Sequence, residues 1–261
     1  MEQGGYSMSY NFIKVNNVNG LISITLNKPP LNVLTIPMME EIADAFVWTQ
    51  AQNAKLILLN AEGKAFSAGV DVADHTPDKV EKMIEVFDSI FHNMYNNDKP
   101  IVAAVNGAAL GGGYELVLFC DMVVASEKTK FGQPEIAVGV FPPLASYMLP
   151  KLTSMPHAME LLLGGEAFNA AKADKLGLVN AVLPVDSFDE GVEQFLQKFM
   201  KMSPLVLAQT KKAMKAGLNK GFVEGLKAID DIYLNELMPS ADALEGLKAF
   251  MEKRQPVWQG K

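Results

Sequence analysis

Three short apolar runs constrain this chain most: KLILLN (55–60), IVAAV (101–105) and MVVAS (122–126). None alternates apolar with polar residues, so each reads as a strand buried on both faces. A sheet covered on both faces needs helices in its connections, and the stretches between these runs have helical spacing, one of them around 78–96. The expectation is an α/β chain with parallel strands joined by crossovers. LISITL (21–26) differs: Ile22, Ile24 and Leu26 share one face, Ser23 and Thr25 the other, which predicts a half-buried strand. NKPPLNVL (27–34) is a turn punctuated by Pro and Asn. Thr35 is placed to N-cap a helix that repeats Met39, Ile42, Ala43, Phe46 and Val47 at helical spacing. The letters carry no fixed-period repeat.

The pattern changes after about residue 185. Segments 188–201, 204–217, 221–237 and 240–254 are all helical, which divides the chain into a core over 1–185 and a helical region over 186–261. Ser240 is placed to cap the last helix, with Asp242 and Glu245 early and Lys253 and Arg254 late, as the helix dipole favours. A helical tail on such a body is expected to pack on a neighbouring copy.

Composition excludes several classes. With 261 residues, 49% hydrophobic and 20% charged, the chain can bury a large core and is not disordered. A net charge of −7 argues against nucleic-acid binding, and Lys211, Lys212, Lys215 and Lys220 read as a solvated helix face. The single cysteine, Cys120, forbids an internal disulfide, fits a reducing compartment and lies in an apolar run as a core residue. His75, His92 and His157 are too dispersed for a zinc site. No run of 18 apolar residues exists to span a membrane. The opening MEQGGYS lacks the features of a secretory signal; it reads as a disordered lead, with Met8 a candidate natural start.

Two glycine turns each follow a buried strand: KAFSAGVD (64–71) and NGAALGGGYEL (106–116), the second running into the apolar helix YELVLFC. A strand, a glycine turn and a helix start leave backbone N–H groups free at a positive helix end. Such a place can hold an anion or an oxygen on which charge develops, although a tight connection uses the same residues. GGG at 111–113 lacks the Lys-Ser or Lys-Thr of a phosphate loop, and Gly107 to Gly113 does not spell G-x-G-x-x-G, so a nucleotide triphosphatase or dehydrogenase is not indicated. Glu115 lies in the first turn of the helix, where the dipole favours a carboxylate by about 0.3–1 kcal/mol whatever its role. Glu135, in KFGQPEIAVGVFPP, follows a proline among apolar residues, a setting that pairs a carboxylate or shifts its pKa. Two such groups can divide acid and base work, but spacing alone does not bring them together.

The blocks AFSAGVD, PIVAAVNGAALGGGYELVLFCD, FGQPEIAVGVFP, AAKADKLGLVNAVLP and FMEKRQPVWQGK resemble, in order and over nearly the whole chain, the signature blocks of the crotonase (enoyl-CoA hydratase/isomerase) superfamily. The resemblance implies a spiral of ββα units with a C-terminal helical region, assembled as a homotrimer or a dimer of trimers in the cytoplasm. It implies an acyl-CoA substrate, no metal, and no cofactor beyond the coenzyme A that the substrate carries. The N–H groups of Ala68 and Gly112 would form an oxyanion hole for the thioester carbonyl, and Glu115 and Glu135 the acid–base pair of a hydratase. Lys28, Leu31, Val33, Ala65, Phe66, Ser67, Gly69, Val70, Asp71 and Gly111 would line the substrate channel. Phe250 and Lys253 would reach a neighbouring subunit's site.

One segment departs from the family. Where ordinary hydratases carry a glycine-rich stretch ending in Arg-Leu, this chain reads FPPLASYMLPKL (141–152), with Leu149 at the arginine. With AGVDVADH, it is similar to the cyclohexa-1,5-diene-1-carbonyl-CoA hydratases, which add water to a conjugated cyclic dienoyl thioester. Phe141, Pro142, Pro143 and Leu144 are suitable walls for a flat ring. His75 is expected in a solvated loop.

Overall fold

The computed structural model describes residues 7–261; MEQGGY, and with it nearly all of the expected disordered lead, lies outside the described residues. Along the chain run β1 (Ser7–Ser9), β2 (Ile13–Val18), β3 (Leu21–Leu26), α1 (Ile36–Gln50), β4 (Leu56–Ala61), β5 (Ala65–Ser67), α2 (Val80–Tyr95), β6 (Ile101–Val105), β7 (Ala108–Leu110) and α3 (Gly112–Leu118). Then follow β8 (Met122–Ser126), β9 (Lys130–Gly132), α4 (Pro143–Leu152), α5 (Met155–Gly164), β10 (Phe168–Asn169), α6 (Ala170–Lys175) and β11 (Ala181–Leu183). The regular elements beyond are helical: α7 (Phe188–Met200), α8 (Pro204–Gly217), α9 (Phe222–Ile232), continued by a wide turn over Tyr233–Leu237, and α10 (Ala241–Met251).

The three apolar runs become β4, β6 and β8, parallel neighbours in a seven-stranded sheet of order β1-β2-β3-β4-β6-β8-β11. Their alternate residues serve two cores. Ile57, Leu59, Ile101, Ala103 and Val105 face the main core with α1 and α2, while Leu56, Leu58, Val102, Ala104 and Val124 meet Phe188, Val192 and Leu196 of α7. That two-sided burial is why these strands lack alternation.

Sequence patterns miss the second sheet, of order β10-β9-β7-β5. Each turn of the spiral lays one strand in the large sheet and a three-residue strand in the small one: β4 then β5, β6 then β7, β8 then β9. The segments KAFSAGVD and NGAALGGGYEL are therefore not turns throughout, since each begins with or contains a short buried strand. This is the ββα spiral that the resemblance implied, and parallel pairing within the small sheet sets the ends of β5 and β7 side by side.

Two local expectations need correction. Thr35 occupies the N-cap of α1, but its hydroxyl accepts from Lys28 Nζ at 3.0 Å, and Asp74 Oδ2 takes the Ile36 N–H at 3.1 Å instead. Lys211 is not part of a solvated face: its ammonium bonds Asp121 Oδ2 at 2.7 Å and the Lys99 carbonyl at 3.0 Å, tying α8 to the body. Ser240 does cap α10, accepting from Ala243 N–H at 3.1 Å. The Cys120 thiol donates to the Leu116 carbonyl at 3.3 Å and burial of the thiol pushes its pKa up; the residue packs against the core but is only partly buried. Among the described residues no helix is long and apolar enough to cross a membrane, and no three His, Cys, Asp or Glu gather to hold a metal.

Candidate active site

The site is built where the ends of β5 and β7 converge. Asn32, fully buried at φ +50°, accepts from Lys28 N–H at 2.7 Å and donates to the carbonyls of Glu62 at 2.8 Å and Ala65 at 2.9 Å. This fastens the turn 27–34 to the chain leading into β5. Ala68 N–H then donates to Leu31 O, Leu34 N–H to Gly69 O, and Asp71 N–H to Leu34 O, each at 2.9 Å. The pattern skips one residue: among the described residues the Val70 N–H has no partner.

Across from it, Gly111 N–H donates to Gly132 O at 2.9 Å, and α3 begins at Gly112. The first amides of a helix have no acceptor within it, and Gly112 N–H finds none among the described residues. A Cβ on Gly112 would stand 3.5 Å from Val70 N and 2.7 Å from Val70 Cγ2, so only glycine lets the two free amides approach. The expected donor Ala68 is thus corrected, because its N–H is spent on Leu31. Val70 and Gly112 form the available pair.

The two glutamates lie close enough for the charge of Glu135 to act on Glu115, and Gly111 stands near both chain segments. Glu115 N–H donates to the Gly111 carbonyl at 3.0 Å, and Glu135 Oε1 lies 2.7 Å from where a Gly111 Cβ would be. Glu115 is buried, and its Oε1 accepts the Ala145 N–H at 2.8 Å at the start of α4. Burial pushes its pKa up to about 7, the negative charge of Glu135 adds to the rise, and the α4 amides oppose it. Glu135, half-buried in the short helical turn Pro134–Val138, is also raised, chiefly by burial; its own backbone N–H and the neighbouring His75 oppose the rise. His75 is thus close enough to act on Glu135, rather than standing in a purely solvated loop, and its Nδ1 lies 3.0 Å from Asp71 O.

The departing segment FPPLASYMLPKL forms α4, with Pro142 as N-cap and Pro143 at the first helical position. A proline pair before a helix is a readable start signal, and it aims the amide end of α4 at Glu115. Other expected site residues are placed less uniformly. Val70 and Asp71 flank the amide pair, and Gly69 backs onto Leu110 O. The side chains of Ala65, Phe66 and Ser67 are buried in the core, and Ser67 Oγ bonds Asn32 O at 2.8 Å, so these side chains hold the scaffold and do not line a channel. Lys28 Nζ donates to Val33 O at 3.1 Å as well as to Thr35, leaving one proton for any ligand. Leu31 is exposed and Val33 half-buried along the same turn. Phe141 is 67% exposed in the single chain. Phe250, 84% exposed, and Lys253 lie at the far end of the helical tail.

The profile of the enoyl-CoA hydratase/isomerase family matches residues 16–261. The chain is 33% identical over 242 residues to a cyclohexa-1,5-dienecarbonyl-CoA hydratase of Thauera aromatica, covering 92% of this chain and 93% of that one. It is 32% identical over 257 residues to a carnitinyl-CoA dehydratase of Salmonella typhimurium, covering 92% and 95%. The crystal structure of an enoyl-CoA hydratase from Bacillus anthracis superimposes with a TM-score of 0.91 at 28% identity, covering 96% of this chain and all of that one.

Proposed function

The chain belongs to the enoyl-CoA hydratase/isomerase family and is a hydro-lyase of that type; on that premise we propose that it hydrates cyclohexa-1,5-diene-1-carbonyl-CoA to 6-hydroxycyclohex-1-ene-1-carbonyl-CoA. The observation that carries the chemistry is the placing of Glu135 Oε1 at Gly111, next to the free amide of Gly112 and one helical turn before the buried Glu115. The amides receive the thioester oxygen. One carboxylate takes a proton from water as its oxygen bonds to the ring carbon β to the carbonyl. The electron pair moves into a dienolate, whose oxygen the amides stabilise; one such donor is worth about 2.7–4 kcal/mol. The other, protonated glutamate delivers its proton to the far end of the dienolate, and the remaining double bond shifts toward the ring carbon bearing the thioester.

The Thauera relative supports the ring substrate, as does the replacement of a glycine-rich stretch by Phe141, Pro142, Pro143 and α4. The exposed apolar side chains of the tail, among them Phe222, Val223, Phe250 and Met251, support a homo-oligomer in which Phe250 and Lys253 approach a neighbour's site. The second reading is a short-chain linear 2-enoyl-CoA hydratase or isomerase, in keeping with the family's description and with the Bacillus anthracis relative, an enoyl-CoA hydratase. Reaction in D₂O separates the two. The ring reaction places deuterium on the ring carbon para to the new hydroxyl, and the linear reaction places it α to the thioester. Turnover of crotonyl-CoA in clear preference to the cyclic dienoyl-CoA would remove the ring reading.

A further inference from the structure

Gln133 immediately precedes the turn that carries Glu135 and is 1% exposed. In the orientation that satisfies both ends of its amide, its side-chain nitrogen lies 3.1 Å from Glu135 Oε1 and 3.0 Å from Oε2. A buried amide that donates to both oxygens fixes the plane of the carboxylate as well as its position. Gly111 bounds the same carboxylate, since a Cβ there would stand 2.7 Å from Oε1. We propose that Gln133 is a positioning residue for Glu135, holding it in the ionised form and in one rotamer against Gly111.

The acid–base role of Glu135 on which this rests is the one proposed above; the geometry of the Gln133 contact is independent of it. The charged groups that face Glu135 are His75, beside the turn Val72–Asp74, and Glu115, from α3. The helix α5 also packs on this turn, but its His157 is engaged with Ser154 and its Glu160 with Lys172. Gln133 is thus the neutral side-chain donor among these contacts, beside the backbone N–H of Glu135 itself. Donors to a carboxylate favour its charged form, so removing them raises its pKa. If the amide were reversed, with its oxygen accepting a proton from a neutral Glu135, the same substitution would lower it.

The test is Gln133→Met, which keeps the length and apolar bulk of the buried side chain. The side-chain carboxyl of Glu135 is followed by ¹³C NMR titration in the full chain, its resonance assigned by its loss in Glu135→Gln. The expected result is an upward shift of roughly one pH unit in Gln133→Met, with kcat lowered about 10²-fold and KM within about twofold. A pKa that is unchanged or lowered overturns the proposal. Should Gln133→Met fail to fold, Gln133→Asn, which keeps an amide but shortens its reach, is titrated in its place; an unshifted Glu135 overturns the proposal there too. Adding Gln133→Met to Glu135→Gln should cost no further activity, since the residue acts through the carboxylate. An unshifted titration in an enzyme that still hydrates acyl-CoA sinks this inference alone, whereas absence of hydration by the unaltered chain sinks the functional reading.

Discussion

Glu135 Oε1 lies 2.7 Å from the point where a side chain on Gly111 would begin, and the carbonyl of that same glycine accepts the Glu115 N–H at 3.0 Å. Gly111 therefore bounds the approach of the Glu135 carboxyl group and stands one helical turn before Glu115. Gly111 has φ +51° and ψ −131°, a conformation open to glycine and strained for any other residue. Gly111→Ala should push the Glu135 carboxylate aside and lower kcat about 10²-fold, with circular dichroism still native. Unchanged kcat in a folded Gly111→Ala variant would show that the contact does not position Glu135.

Gly112→Ala tests the amide pair separately. Its Cβ would meet Val70 Cγ2 at 2.7 Å and Phe87 Cζ at 3.1 Å, forcing Val70 and its amide away from α3. The expected loss is about 10²- to 10³-fold in kcat, the usual cost of one displaced oxyanion donor. The pH limbs should stay in place, because neither glutamate moves.

Hydration by two carboxyl groups needs the pair to hold one proton. Glu115 is raised to about 7 and Glu135 is raised less, so the pair sheds its last proton near neutrality. The kcat/KM profile should fall as pH rises through about 7, and fall again in acid as the second proton binds. A profile flat from neutral pH to well above it contradicts the one-proton pair.

The same shift governs stability. The Glu115 carboxyl ionises at 4.5 when free of the fold and at about 7 within it, so the stability it contributes is complete below 4.5 and lost as pH rises through 7. Above that point the buried charge costs on the order of 3 kcal/mol. Glu115→Gln keeps the acceptor for Ala145 N–H without the charge. At pH 8 it should melt several degrees above the unaltered chain, with the difference disappearing near pH 4. A lower melting temperature at pH 8 would show that the ionised carboxylate stabilises the fold.

What could be read from the letters followed the range of each cause. The doubly buried strands β4, β6 and β8 and the helical tail announce themselves through local composition, and Glu115 and Glu135 through their settings beside glycines and proline. The strands β5, β7 and β9 did not, because three residues are too few to show a period. The repeat of the spiral is hidden for a related reason: α2 has 16 residues and α3 has 7, so equivalent units have unequal lengths. Choosing between Ala68 and Val70 as amide donor needed the pairing of residues 68–71 with Leu31 and Leu34, a tertiary fact. Lys211 shows the same limit, since its partner Asp121 is far away in the chain.

The paired action of Glu115 and Glu135 is tested most directly by hydration kinetics of Glu115→Gln, Glu135→Gln and the double variant on one unsaturated acyl-CoA. Residues that act as a unit are not additive. Each single substitution should cost about 10²- to 10⁴-fold in kcat, and the double variant little more than the worse single one. Full activity in either single variant, or losses that multiply in the double, would contradict a shared proton inventory at one thioester.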